Sequence, residues 1–397
     1  MLVGNGLSIA FNPDLNLQAI TTEVMNRIGG ASGDDAAALT AMRSLAEHAL
    51  PDGADSDGDF EKLVGVFGSE RRNLGHLHDL AEALTPDDAD LRDSIVKTAE
   101  FAEYVSDFGI SLVLEVIFER SRAREDRIQS LRELVIGVAE SFEHTISIAN
   151  LNYDSLLLAA LLSTLREQLA DLGHGWKTAK LKSTDGPDVS VPRLRDTGDF
   201  PDSRRIRLLS LHGSLTYWHS PRQSDLHVKL DMSHLEGSGA WEAIRTRTTP
   251  LRPSVVLATQ RDKSEHVRHY PFSLAYEEFA KALTSADDWL IIGYSFRDEC
   301  VNDLLRDEFL SRAAERKPRV LVATFGNNPS REDVARAHGW GAEDGESTWL
   351  TFHRGGAATL LESPEWSAFV SSPDQDRCPT VRQAPAMPVG TGASAGT

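Results

Sequence analysis

Short apolar runs, each followed by a turn and then by a helical stretch, constrain the fold of this chain more than any other feature. Continuous apolar strands that alternate with helices are typical of a parallel sheet covered on both faces. The pattern therefore predicts an α/β fold with a doubly wound, mostly parallel, Rossmann-like sheet. The predicted strands are the very short run Leu2-Val3, then Thr145–Ile148, Leu208–Leu211, Val255–Leu257, Leu290–Ile292, Val320–Ala323 and Trp349–Phe352.

Residues 31–140 have a different pattern, because helical periodicity fills them and strand signals are scarce. We therefore expect a large helical insertion domain at 31–140, directly after the first strand. Residues 1–30 and 141–370 then form the Rossmann-like domain. Residues 371–397 lack periodicity and end in Pro, Gly, Ala and Ser, which predicts a disordered tail. The predicted helices of the insertion are 36–49, 60–68, 74–84, 88–121 and 125–140.

The formal net charge of -19 argues against a broad nucleic-acid surface, because duplex phosphate repels an acidic protein. No apolar run approaches the roughly 18 residues needed to cross a bilayer, and the first residues lack a basic signal-peptide region. Cys300 and Cys378 lie far apart and are the two cysteines of the chain, which excludes a four-cysteine zinc module and a disulfide framework. We expect a cytoplasmic protein with no membrane contact and no metal.

In a doubly wound sheet the ligand binds at the carboxyl ends of the strands, so the residues after each strand are the candidate site residues. Gly4, Gly6 and Ser8 follow the first strand. Glycines let the backbone approach a pyrophosphate, and the next helix offers N–H groups to an anion. The motif is not the complete Gly-x-Gly-x-x-Gly, so a tight turn between strand and helix is an equal alternative.

Asn152 and Asp154 follow the second strand and precede a leucine-rich helix. An amide and a carboxylate there can hold sugar hydroxyls and a carboxamide. Helix capping is the alternative, and the motif alone favours it. His212 follows the third strand, directly before Gly213. It can act as a general base near neutral pH, while the alternative is a histidine beside a turn glycine.

Gly293, Ser295 and Asp298 follow the fifth strand. Gly293 permits close approach, and Ser295 can donate a hydrogen bond to phosphate or ribose. The alternative is a simple turn between strand and helix, with Asp298 as the helix cap. Asn327 follows the sixth strand, in a segment that can reach the second ribose of a dinucleotide.

The order of these motifs resembles the sirtuin family, in its bacterial sirtuin-like branch. The segment Ile291–Glu299, with Asn302, is especially similar to that branch, and so is Tyr276 ahead of it. The resemblance covers about residues 1–12 and 140–330. It does not explain the helical insertion.

The resemblance implies that Asn152 is the catalytic asparagine, that His212 is the catalytic histidine and that Asp154 holds the nicotinamide carboxamide. Asn327 joins the candidates for its place after the sixth strand. The other residues implied in NAD binding are Gly4, Gly6, Ser8, Gly293 and Ser295. The zinc-binding cysteines of protein-deacylating sirtuins are missing from the sequence, which argues against deacylation.

The implied activity is that of an NAD nucleosidase: hydrolysis of NAD, as substrate, to nicotinamide and ADP-ribose. Sirtuin-like proteins of this branch often deplete NAD in antiphage defence, and many form homo-oligomers. Some act with a separate ring-forming ATPase. This chain has no P-loop, so an ATPase or a phage-derived activator would be another molecule.

Three alternatives stay open. A non-catalytic NAD or ADP-ribose sensor binds without turnover. A protein deacylase or ADP-ribosyl transferase uses another acceptor, and an NAD-dependent dehydrogenase leaves nicotinamide attached. The helical insertion is expected to regulate activity as a lid or an oligomer surface. The alternative is that its apolar face, around Phe108 and Val116, simply packs on the sheet domain.

Overall fold

The computed structural model describes most of the chain. Of the predicted helices, 36–49 (apart from residue 40) and 60–68 lie outside the described residues, and so does the predicted tail beyond residue 371. The described residues are 1–30, 40, 73–123, 128–173, 177–181, 189–221, 223–237, 239–257, 260–313, 316–340 and 349–371.

Twelve strands are present within these ranges, and seven of them form the central sheet in the order β12-β11-β10-β1-β2-β6-β3, with every neighbouring pair parallel. The prediction of a parallel, doubly wound sheet is confirmed. The strands are β1 (Leu2–Val3), β2 (Ile146–Asn150), β3 (Leu169–Asp171), β4 (Thr178–Leu181), β5 (Val189–Pro192), β6 (Ile206–Ser210), β7 (Gly213–Ser220), β8 (Gln223–Lys229), β9 (Arg252–Val255), β10 (Asp288–Ile292), β11 (Arg319–Ala323) and β12 (Leu350–His353).

The prediction that Val255–Leu257 is a strand of the parallel sheet was wrong. β9 ends at Val255 and pairs antiparallel with β7, in a separate sheet of order β8-β7-β9. The edge position of the central sheet belongs instead to β3, which pairs parallel with β6. A short apolar run does not indicate its pairing direction, and β3 is three residues long, so neither outcome could be read from periodicity.

The helices lie between the strands, and three of the helices predicted for the insertion are confirmed as α3, α4 and α5. The helices are α1 (Asn5–Phe11), α2 (Leu17–Gly30), α3 (73–84), α4 (Ala89–Arg122), α5 (Ile128–Ser141), α6 (Leu156–Thr164), α7 (Ala240–Arg245), α8 (Gln260–His266), α9 (Phe272–Ser285), α10 (Glu299–Ser311), α11 (Arg331–His338) and α12 (Pro364–Ser371). None of the helices in the described part of the chain is long and apolar enough to span a membrane.

α4 is the longest helix in the described part of the chain, and its two halves have different surroundings. Its N-cap is Asp88, whose side chain accepts a hydrogen bond from the Leu91 N–H at 2.9 Å. In its first half, Val96 and Phe101 are exposed. In its second half, the apolar residues are buried in the core that also holds residues of β2, β6 and β10, which favours packing on the sheet domain as the use of this face. The buried apolar side chains of α4 from Val105 onward are Val105, Phe108, Leu112, Val113, Leu114, Val116, Ile117 and Phe118.

Ion pairs add to this apolar contact. Glu115 of α4 pairs with Arg245 of α7 at 2.7 Å and with Arg27 of α2 at 3.4 Å. Asp107 of α4 pairs with Arg252 of β9 at 3.3 Å. α4 therefore connects the segment after β1 to the antiparallel sheet. Whether 31–140 is a domain of its own stays a prediction.

Candidate functional site

A cleft of about 1060 Å³ opens at the carboxyl ends of the parallel strands. Loops after β1, β2, β6, β10, β11 and β12 line it. The chain starts at β1, continues to β2 on one side and later returns to β10 on the other, so β1 lies at the switch point of the sheet. Open α/β sheets bind their ligands at such a point.

Gly4, Gly6 and Gly293 bring two of these loops into backbone contact. The N–H of Gly4 donates to Ile292 O, and the N–H of Gly6 donates to Gly293 O, both at 2.9 Å. A Cβ on Gly6 would lie 2.6 Å from the Gly293 Cα, and Gly293 itself has a φ of 62°. The packing of the two loops therefore requires glycine at these positions. Their role at a pyrophosphate stays a prediction.

Ser8, Asn152 and Asp154 form one buried network. Asn152 Nδ2 donates to Ser8 Oγ at 2.9 Å and to Gly4 O at 3.1 Å. Ser8 Oγ donates to Asp154 Oδ2 at 2.6 Å. Asn152 and Asp154 line the cleft, while Ser8 lies behind its wall and orients them. The network places the side chains from two strand ends in one rigid group.

Asp154 also contacts the start of α6. Its Oδ1 accepts from the Leu156 N–H, the first N–H of the helix, at 3.0 Å, although the N-cap residue itself is Ser155. Capping uses one oxygen, and Oδ2 remains with Ser8. Burial raises the pKa of Asp154, although the hydrogen bonds from Ser8 and Leu156 oppose that shift. A carboxyl that is costly to ionise in the free protein suits contact with a polar amide.

His212 is 4 % exposed and lies between β6 and β7. Its Nε2 lies 3.0 Å from Asp298 Oδ2 and 3.4 Å from the Tyr276 hydroxyl. The next residue, Gly213, has a φ of 84°, and a Cβ there would lie 2.2 Å from Ser254 O. The close approach of β9 therefore requires glycine at position 213. His212, directly before this glycine, lines the cleft.

Asp298 is the residue that sequence reasoning underestimated. It is the cap of α10, as expected, with Oδ1 accepting from the Val301 N–H at 3.2 Å. Its Oδ2, however, also accepts from Lys263 Nζ at 3.0 Å, and both side chains line the cleft beside His212. Burial opposes ionisation of Asp298, yet its hydrogen bond and charge interaction with His212 and the charge of Lys263 hold its pKa well below the usual range.

A second group of cleft residues is open to solvent. Ser295 and Arg297 are exposed in the loop after β10, and Phe325, after β11, is 85 % exposed. Asn327 is exposed as well but lies outside the cleft wall, which its neighbour Asn328 reaches instead. We call Asn152, Asp154, His212 and Asp298 the histidine end of the cleft. We call Ser295, Arg297 and Phe325 the open end.

The helical insertion reaches the cleft through Ile117 of α4. Asn12 Nδ2 donates to Arg120 O at 2.9 Å, and Arg120 donates to Asp14 O at 2.7 Å. These bonds join the end of α4 to the segment that precedes Leu17, which also lines the cleft. A displacement of α4 would therefore move one wall of the site.

A SIR2-like domain family model matches residues 146–343. The matched segment contains the histidine end and the open end, so this part of the chain is similar to a SIR2-like domain. No curated protein matches the chain. The SIR2-like domain implies an NAD-related activity, and members of that family are NAD-dependent enzymes.

In the described ranges, no group of three or more His, Cys, Asp or Glu residues is arranged to hold a metal ion. Cys300 is half-buried, and burial raises the pKa of its thiol to about 11. Cys378 lies outside the described residues. The expected lack of zinc therefore stays a prediction.

Proposed function

We propose that this protein is an NAD nucleosidase, which hydrolyses the nicotinamide–ribose bond of NAD. One observation carries the proposal: the SIR2-like sheet brings Asn152, Asp154 and His212 from two strand ends into one cleft with the glycine loops. The cleft volume of about 1060 Å³ is at the upper end of ordinary ligand pockets, as a dinucleotide requires.

The reaction needs little acid catalysis at the leaving group, because nicotinamide departs as a neutral molecule from a cationic substrate. Water adds to the ribose carbon as the carbon–nitrogen bond breaks, and one proton of that water must be accepted. His212 is the proton acceptor in this proposal, while Asn152 holds the ribose hydroxyls and the water. Asp154 orients the carboxamide. General base catalysis of this kind contributes roughly 100- to 10,000-fold.

The open end suits the rest of the dinucleotide. The exposed ring of Phe325 offers a face on which adenine can stack, and Arg297 offers a cation to the pyrophosphate. Ser295 adds an exposed hydroxyl group to the polar contacts. Asn327, which its position after the sixth strand predicted at the second ribose, lies outside the cleft wall, and Phe325 from the same loop lines the cleft.

We further propose that the activity depletes NAD in bacterial antiphage defence, in the cytoplasm, and that it is held low until a partner acts. The support is the contact of α4 with the cleft wall through Ile117 and the Asn12–Arg120 bond. A homo-oligomer, a separate ATPase or a phage-derived activator are the candidate regulators. An unregulated NAD hydrolase would be toxic to its own cell.

The test is incubation of the purified chain with NAD, alone and with the product of its genomic neighbour, followed by chromatography of the products. Release of nicotinamide with ADP-ribose, linear or cyclised, supports the proposal. An acyl-lysine peptide is added in a parallel reaction. Nicotinamide release that depends on the peptide would identify a deacylase, and NAD binding without any product would identify a sensor.

A further inference from the structure

His212, Asp298 and Lys263 form a buried triad. The predicted role of Asp298 as a helix cap does not explain its contacts with the other two side chains. Asp298 is 7 % exposed and Lys263 4 %, and both reach the cleft. A cap requires one carboxylate oxygen, which is Oδ1 on the Val301 N–H. Oδ2 points the other way, to His212 Nε2 at 3.0 Å and to Lys263 Nζ at 3.0 Å.

The two neighbours of Oδ2 determine what that oxygen can do. Lys263 carries an ammonium group, which donates and never accepts. An ionised carboxylate only accepts, so the hydrogen between Asp298 and His212 belongs to the histidine. If Nε2 carries this hydrogen, the lone pair of the neutral imidazole lies on Nδ1.

We propose that Asp298 is a positioning residue that fixes the tautomer of His212, with Nε2–H donating to Asp298 and Nδ1 left to accept the proton of the reaction. Lys263 keeps Asp298 ionised and oriented. The proposal rests on the proposed function, since it states how the base of that reaction is prepared. It assigns to Asp298 a role separate from its cap on α10.

Two other titratable groups near the triad have a raised pKa. Burial raises the pKa of Tyr294, whose hydroxyl donates to Asp298 O at 3.1 Å, and it raises the pKa of Cys300 to about 11. Tyr276 from α9 lies 3.4 Å from the histidine, and the Tyr153 ring lies 6.3 Å from it. Among the described contacts, Asp298 lies directly beside His212 and Lys263 pairs with that carboxylate.

The central variant is Asp298→Asn, which keeps both the size of the side chain and a good capping oxygen. We expect NAD affinity to stay within about threefold and kcat to fall at least about 100-fold, because the base loses its orientation and its counter-charge. Asp298→Ser introduces another capping residue, whose side chain is too short to reach the histidine. It should lower kcat as Asp298→Asn does.

The matched control is Asp88→Asn, because Asp88 caps α4 in the same way but lies outside the cleft. Its kcat and pH profile should equal those of the unmodified protein. Lys263→Met is the complementary variant. It should lower kcat less than Asp298→Asn does, because the histidine keeps its carboxylate.

The tautomer is measured directly on protein with ¹⁵N-labelled histidine, by long-range nitrogen–proton correlation, with His212→Gln to assign the signal. We expect the Nε2–H form in the unmodified protein and a loss of that preference in Asp298→Asn. An Nδ1–H form in the unmodified protein, or a kcat of Asp298→Asn within about threefold of it, would overturn the proposal. If the unmodified protein releases no nicotinamide, the proposed function fails, and the tautomer measurement alone decides the role of Asp298.

Discussion

The two ends of the cleft differ in their exposure to solvent and in their internal contacts. At the histidine end, Asn152 and Asp154 are each 6 % exposed, and every side chain is held by hydrogen bonds that cross between strand ends. At the open end, Phe325 is 85 % exposed, and Arg297 is exposed in the loop after β10.

This difference separates chemistry from recognition. Dipoles and charges that are fixed and shielded from water act strongly on a reacting centre and need no reorganisation during the reaction. An exposed ring and an exposed cation can instead receive and release a large ligand. Substitutions at the histidine end should therefore change turnover, whereas substitutions at the open end should change affinity.

His212→Ala gives the strongest test of the comparison. We expect kcat for nicotinamide release to fall roughly 100- to 10,000-fold with little change in NAD affinity, because the base is lost and the binding surface is kept. Thermal melting provides the check that the fold is intact. Turnover close to that of the unmodified protein would remove His212 from the mechanism.

Gly293→Ala should disrupt both ends together, because this glycine holds the two loops in contact. A Cβ would lie 2.3 Å from the Leu7 nitrogen at a φ of 62°. Backbone strain and overpacking together predict a loss of about 2–4 kcal/mol in the free energy of unfolding, measured with urea.

Gly326→Ala is the matched control for that variant. Gly326 also has a positive φ, of 71°, but a Cβ there meets nothing within 4 Å. It should lose only about 1–2 kcal/mol from strain. Equal losses in the two variants would show that loop contact contributes little.

Phe325→Ala should raise the KM for NAD about tenfold and leave kcat nearly unchanged, because stacking of a base on an aromatic ring contributes about 1–3 kcal/mol. Phe101→Ala removes an exposed phenylalanine from α4, outside the cleft, and should have no kinetic effect. A fall in kcat with constant KM in Phe325→Ala would contradict the separation of the two ends.

Asp154→Asn should have the smallest effect on the free energy of unfolding. The direction of that effect can be determined from its dependence on pH. Burial raises the pKa of Asp154 in the folded protein, so ionisation of this carboxylate lowers the free energy of unfolding at neutral pH. This loss of stability disappears as the pH falls below the pKa that Asp154 has in the unfolded chain. The variant should therefore be at least as stable as the unmodified protein at pH 7, with the difference shrinking toward pH 4, as measured by urea unfolding. A variant that is clearly less stable at pH 7 would show that capping by the carboxylate dominates.

The amino-acid sequence by itself determined the parallel sheet and the positions of its site residues. Apolar runs that alternate with helices are local patterns, and they predicted β1, β2, β6, β10, β11 and β12 together with the residues at their ends. The carboxyl ends of parallel strands lie at one edge of the sheet. The sequence therefore predicted that Asn152, His212 and Gly293 lie close together at that edge.

The tertiary structure alone decided which side chains contact each other across that edge. In the structure, β9 belongs to a different sheet, and Asn327 lies outside the cleft wall. Lys263 donates a hydrogen bond to Asp298, which lies 35 positions later in the chain. The Asp298 motif looks the same in sequence whether one carboxylate oxygen or both are used. Oδ2 of Asp298 contacts its partners only when α8, β6 and α10 pack together. That packing depends on long-range contacts, which a local sequence pattern does not predict.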